Sequence, residues 1–321
     1  MRVLITGISG FVGQHLADYL LETGNPADIE IHGTVFSSEV ERENVSCHKV
    51  DLRQPEAVKA LLGAVQPDRI YHLAAQAFVP RSFSDPWETL ENNIRSQLNI
   101  IMAMTDLPTP PRMLVVSSAE IYGVVSPDQI PMREDLHPQP TSPYSVSKVS
   151  QDMLALQYHL SHDLPITRAR PFNHFGPGQN ERFVAPAFAL QVARIEAGLQ
   201  PPIIEVGDLS AQRDFTDVRD IVAAYESIVT QGEPGAVYNV ASGEAHSIQE
   251  LLDTLLSFVD MEIEVRVDRE RLRPVDIPIL LGDATLLQQQ TGWSPSYSFE
   301  QSLLDVLNDC RARVKAVAAS E

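Results

Sequence analysis

"LITGISGFVGQHL", residues Leu4–Leu16, decides the fold. The short apolar run Arg2–Thr6 meets Gly7, two further glycines follow at Gly10 and Gly13, and an amphipathic pattern starts at Phe11. Between a strand and a helix, such glycines make a tight turn, admit a pyrophosphate to the backbone, and let helix and strand pack closely. The helix that follows offers amide donors and a positive dipole end to an anion. The stretch therefore predicts a dinucleotide held at the first strand–helix junction.

Outward from this junction, apolar and amphipathic segments alternate. Arg2–Thr6, Ile29–Val35, Cys47–Val50, Arg69–Ala74, Met113–Ser118 and Ile166–Pro171 read as strands. Phe11–Leu21, Glu56–Val65, Thr89–Met104 and Tyr144–Ser161 read as helices. Strand–helix alternation predicts an α/β fold: a Rossmann-type, doubly wound parallel sheet. After Pro171 the rhythm loosens and prolines and glycines crowd the chain. That part reads as a smaller mixed α/β lobe that binds substrate, with Ser247 and Glu250 set as a capping box before a helix. The expected division is 1–171 for the cofactor, with 211–243 returning to it, and 172–321 mainly for substrate.

The chain has 321 residues, enough for one large domain or two modest ones, and a net charge of −19. That charge argues against binding to nucleic acid or an anionic membrane, and requires local cationic and backbone donors for any anionic ligand. Cys47 and Cys310 match no metal or redox spacing and read as reduced thiols. The N-terminus has no signal-peptide pattern, and no run of about 18 apolar residues is present. A cytoplasmic protein is expected.

An NAD-selective site commonly carries an acid about 20 residues beyond the glycines, for the ribose hydroxyls. Here that turn reads His32-Gly33-Thr34-Val35-Phe36-Ser37-Ser38, with no acid before Glu39. Ser37 and Ser38 offer donors to a 2′-phosphate, while the nearest arginine along the chain is Arg42. The reading is NADP(H) or NAD(H), leaning to NADP(H).

"SPYSVSK" puts Tyr144 and Lys148 four apart, on one face of a helix. A nearby ammonium and an oxidised nicotinamide lower a phenol's pKa, which suits Tyr144 to proton transfer at a sugar oxygen. Upstream, a strand ends at Ser118 in "SSAEIYG". With "TGISGFVG", Asp51-Leu52, "HLAAQ", "RPFNHFGPGQ", "RDFTDVRD", "VYNVASG" and "TGW", the chain resembles the extended short-chain dehydrogenase/reductases that act on nucleotide sugars. Within them it is most similar to the GDP-6-deoxy-D-mannose reductases and the GDP-mannose 4,6-dehydratases.

The resemblance implies roles residue by residue. Gly7, Gly10, Phe11, Val12 and Gly13 would hold the pyrophosphate, Ser37, Asp51 and Leu52 the adenosine, and Ala74, Ala75, Gln76 and Asn93 the nicotinamide half. Tyr144 would be the acid/base, Lys148 its electrostatic partner and a ribose ligand, and Ser118 a donor to the reacting oxygen. Asn173, Phe183, Arg213 and Arg273 would contact the sugar nucleotide, arginine being suited to phosphate by its planar fork. A homodimer through the helices Thr89–Met104 and Tyr144–Ser161 is also implied.

The same strand end separates the reactions. Dehydration needs a base at C5 and an acid for the C6 hydroxyl, and similar dehydratases read Thr-Asp-Glu or Thr-Ser-Glu where this chain has Ser118-Ala119-Glu120. Glu120 keeps a base; Ala119 has no proton to give. Reduction of a 4-keto group needs a hydride and one proton. The expectation is therefore conversion of GDP-4-dehydro-6-deoxy-D-mannose to GDP-D-rhamnose, with 4,6-dehydration and then 4-epimerisation as alternatives. No metal site is expected: His159 and His162 lack a third ligand, and His72 and His174 read equally as buried structural histidines.

Overall fold

The computed structural model describes residues 1–25, 28–36, 42–268 and 277–318. In chain order its first strands and helices are β1 (Arg2–Thr6), α1 (Phe11–Thr23), β2 (Glu30–Val35), β3 (Val45–Lys49), α2 (Pro55–Val65), β4 (Arg69–His72), α3 (Val79–Ser84), α4 (Pro86–Thr105), β5 (Arg112–Val116), α5 (Pro143–His162) and β6 (Ile166–Pro171). Then come β7 (Asn173–Phe175), α6 (Val184–Glu196), β8 (Ile203–Val206), β9 (Gln212–Asp217), α7 (Val218–Gln231), β10 (Val237–Val240), β11 (Ala245–Ser247) and α8 (Ile248–Ser257). The chain closes with β12 (Glu264–Val267), β13 (Ile279–Leu280), α9 (Thr285–Thr291) and α10 (Phe299–Ala318).

Seven strands form one parallel sheet in the order β10-β6-β5-β4-β1-β2-β3. The order reverses between β1 and β4, and ligands of doubly wound sheets bind outside the strand ends at such a switch point. Alternation along β1 drives the layering: Val3 and Ile5 pack into a core with α1 and α7, Leu4 into one with α2, α4 and α5. Helix starts are set by local chemistry. Asp85 accepts from the Glu88 amide ahead of α4, and Ser142 and Ser145 cap α5 reciprocally, with Pro143 in its first turn.

A second apolar core joins α6, α8 and α10 to Phe175 and Phe215. Beside it, β11, β9 and β13 form a sheet to which β7 adds, and the Ser247–Glu250 capping box opens α8. The return to the main sheet is narrower than 211–243. β9 pairs with β7, β11 and β13, and only α7 and β10 rejoin the large sheet. The cause lies in the acids of "RDFTDVRD". Asp214 accepts from the Ser242, Gly243 and Gly282 amides, Asp217 caps α7 and binds Ser302, and Asp220 accepts from Ser296 and Tyr297. The Asp214 and Asp217 bonds hold β9 in place, and those of Asp220 tie α7 to Ser296 and Tyr297.

Candidate active site

At the β1–α1 junction Gly7 sits at φ +69°, and a Cβ there would lie 3.0 Å from the Ala74 backbone. A Cβ on Gly13 would come within 2.5 Å of the Gly7 carbonyl oxygen. Side chains at these two positions would fill the turn. Gly10 leads into α1 without a side-chain cap, and the first turn has no acid, so the helix amides beside Phe11 and Val12 are available to an anion. This cradle fits a pyrophosphate.

Across the turn, the loop Ala74–Gln76 is tied down from two sides. Thr6 accepts from the Leu73 and Ala74 amides, and Asn93 accepts from the Gln76 amide at 2.7 Å. The Asn93 amide group donates to the Gln76 carbonyl and to Ser147 Oγ. Asn93 is fully buried and consumed by these bonds, so its place is behind the loop, joining it to α5, and not at the cofactor's surface. His72 lies beneath, bonded to Thr6, with its pKa lowered to about 3 by burial and then by Lys148. It is a neutral core histidine.

On α5, Tyr144 and Lys148 are both buried. The Lys148 ammonium donates to the Val116 carbonyl at 2.9 Å and lies 5.9 Å from the Tyr144 ring centre. With no counter-ion among the described residues to offset desolvation, burial lowers Lys148 to about 7. Ser117 bonds the Lys148 carbonyl, and Ser118 Oγ accepts from the Glu120 amide at 3.2 Å, starting a short 3₁₀ turn over Ala119–Tyr122. The Tyr144 phenol departs from the depressed pKa expected of it. Burial and the Glu120 charge push it well up, and a hydrogen bond with Ser118 offsets only part of that. Tyr144 therefore holds its proton at neutral pH. Ala119 is 2% exposed and packs in the core with Ile121 and Tyr122.

Beyond this triad, Asp51 is engaged by Arg53 through two side-chain bonds of 2.9 Å, and hydrogen bonding from Arg53 holds its carboxyl below the ordinary value. Leu52 is buried, its carbonyl bonded to Asn99. In the smaller lobe Asn173 opens β7, and Phe183 precedes α6, edge-on to Phe78 at 6.3 Å with Arg182 over the Phe78 ring. Arg213 is largely buried and donates to the Gln212 and Ile277 carbonyls. His174 stacks on Phe11. Ser37 and Arg273 lie outside the described residues.

The sequence reading passed over a buried cluster one turn beyond Lys148. Asp152 accepts from Arg168 at 2.7 Å and from Arg170 at 2.9 Å, and Arg170 also donates to Tyr122 and to the Glu134 carbonyl. A signal was present: two arginines alternate in "ITRARP", a strand buried throughout, and buried cations need a carboxylate. Arg53 and Phe78 were missed as well, and neither gives a sequence signal beyond adjacency to a motif. His159 bonds the Leu164 carbonyl and His162 stacks on Tyr158. Among the described residues no group of three metal-ligating side chains comes together, and no helix is long and apolar enough to cross a membrane.

The family model described as GDP-mannose 4,6 dehydratase matches residues 4–306. A GDP-6-deoxy-D-mannose reductase of Pseudomonas aeruginosa is 38% identical over 315 residues, covering 98% of both chains. Among solved structures, RMD from P. aeruginosa complexed with NADPH matches with a TM-score of 0.85 at 36% identity, over 97% of this chain and 99% of that one. UDP-glucose 4-epimerase of Thermus thermophilus, complexed with NAD, matches with a TM-score of 0.85 at 28% identity, over 97% and 99%.

Proposed function

The chain belongs to the GDP-mannose 4,6 dehydratase family, and from that membership we propose that it is the reductase of the 4-keto group of GDP-4-dehydro-6-deoxy-D-mannose, forming GDP-D-rhamnose. The 38% identity to a reductase of that activity over nearly the full chain supports the substrate, and the likeness to an NADPH complex supports NADP(H) as the cofactor. When bound in the Gly7–Gly13 cradle, NADPH would supply the hydride that reduces C4. The chain's own residues do the rest. Ser118 hydrogen-bonds the C4 oxygen, and Tyr144, a protonated phenol at neutral pH, gives it the proton. Lys148 would hold the ribose hydroxyls of the bound cofactor. Gly7, Gly10 and Gly13 admit the pyrophosphate, while Asn173, Phe183 and Arg213 face the sugar nucleotide.

The observation that carries reduction over dehydration is Ala119, an apolar side chain packed in the core at the position where a second acid would stand. In the test, purified protein is given GDP-4-dehydro-6-deoxy-D-mannose and should oxidise one NADPH per sugar. Formation of the keto sugar from GDP-mannose without added reductant would overturn the reading.

The lobe before Pro171, with α7 and β10, serves the cofactor in this proposal and the remainder serves the sugar nucleotide. A cytoplasmic location and a homodimer complete it. α5 exposes Val146, Met153 and Leu160 at every seventh position, and α4 exposes Met102, apolar residues of the kind that pair helices across an interface. Replacing Met153 and Leu160 by Glu should halve the mass measured by light scattering.

A further inference from the structure

Arg53 lies 17 residues beyond Phe36 in the chain, yet its guanidinium carbon sits 5.3 Å from the centre of the Phe36 ring. Phe36 directly follows β2, where an NAD-selective enzyme carries the acid that binds the ribose hydroxyls. The two residues meet because β2 and β3 are paired in parallel and the Val50 amide bonds the Val35 carbonyl at 3.0 Å. The turn carrying Arg53 is fixed further by the Gln54 amide on the Asp51 carbonyl and by Asn99 on the Leu52 carbonyl. A cation thus stands at the adenosine end of β2, delivered by the next strand.

We propose that Arg53 is the residue that selects a 2′-phosphorylated dinucleotide, its guanidinium binding the 2′-phosphate at the end of β2. The fork is already oriented. Nε and Nη2 bond Asp51 and the aromatic face of Phe36 lies against it, while Nη1 donates to none of the described residues and remains for a phosphate oxygen. The side chain is 36% exposed, so an incoming ligand reaches it. Asp51 anchors the guanidinium on one edge and leaves the other edge outward. Arginine suits this task better than lysine because one planar group bonds both the carboxylate and the phosphate.

This inference rests on the cofactor half of the proposed function and is independent of which sugar reaction is catalysed. The experiment is calorimetric titration of the cofactor-free protein with 2′,5′-ADP and with 5′-AMP, for wild type, Arg53→Ala and Arg53→Lys. Arg53→Ala should weaken 2′,5′-ADP by roughly 10- to 100-fold, the worth of one charged hydrogen-bond pair, and leave 5′-AMP within about 3-fold. Arg53→Lys, which keeps the charge and loses the fork, should fall between the two and shows that a loss is not a folding defect. Equal weakening of both nucleotides by Arg53→Ala would overturn the proposal and reduce Arg53 to a support for Asp51. So would unchanged 2′,5′-ADP binding in both variants.

Discussion

Two buried charged groups stand one turn apart on α5 and are treated in opposite ways. Asp152 is sealed from solvent and held by the two guanidiniums of Arg168 and Arg170. Burial opposes the charge on Arg170, but its bonds to Asp152 more than offset that and raise its pKa. Lys148, just as hidden, is given only a carbonyl oxygen among the described residues, and burial lowers it to about 7. The first arrangement fastens α5 to β6 in a single position. The second leaves an ammonium with no carboxylate partner among the described residues, 5.9 Å from the Tyr144 ring. A helix can thus carry a satisfied charge for register and an unsatisfied one for chemistry, provided the first stays intact.

Breaking the satisfied side should have the largest effect. Asp152→Ala leaves two arginines buried without their partner, so we expect a loss of about 3–5 kcal/mol in urea unfolding. A loss below roughly 1 kcal/mol would mean that the cluster is not the fastening. On the chemical side, Tyr144→Phe should lower kcat by about 10³-fold while leaving the unfolding midpoint nearly unchanged, because only the proton donor is removed.

Lys148→Met sharpens the contrast, since it should stabilise the cofactor-free protein. The sign follows from the lowered pKa. Between about pH 7 and the ordinary lysine value, the unfolded chain holds a proton that the folded one has lost, so folded wild type gains stability as pH rises through that window. Below pH 7 both states are protonated and the full penalty remains. The variant should therefore exceed wild type by on the order of 2–4 kcal/mol at pH 6, with the gap closing toward pH 10. A gap that does not change with pH would place the cause outside Lys148 ionisation.

The smallest change belongs to Glu120→Gln. Removing that charge lowers the Tyr144 pKa, so the alkaline limit of reduction should move to lower pH, with kcat within about 10-fold of wild type. A loss of reduction beyond roughly 10²-fold would instead give Glu120 a direct part in the proton transfer.

The sequence by itself determined the cofactor end of the fold and the shared helix of Tyr144 and Lys148. Gly7, Gly10 and Gly13, the strand–helix rhythm, and the four-residue spacing of Tyr144 and Lys148 are all local: each depends on turn sterics or helix periodicity over a few residues. Ala119 likewise stood out as a position without a proton. What only the tertiary structure decided depends on groups that meet across the sheet. It turned Asn93 into a buried tie between the Ala74–Gln76 loop and α5 and moved β9 into the smaller lobe. It paired Asp152 with Arg168 and Arg170, and carried Arg53 from the end of β3 to Phe36 at the end of β2. The pKa of Tyr144 was decided there too: the sequence shows the lysine four residues away, but not the burial and the Glu120 charge that outweigh it. Solvation and long-range charge are properties of packed volume, and packed volume is not written in any short stretch of chain.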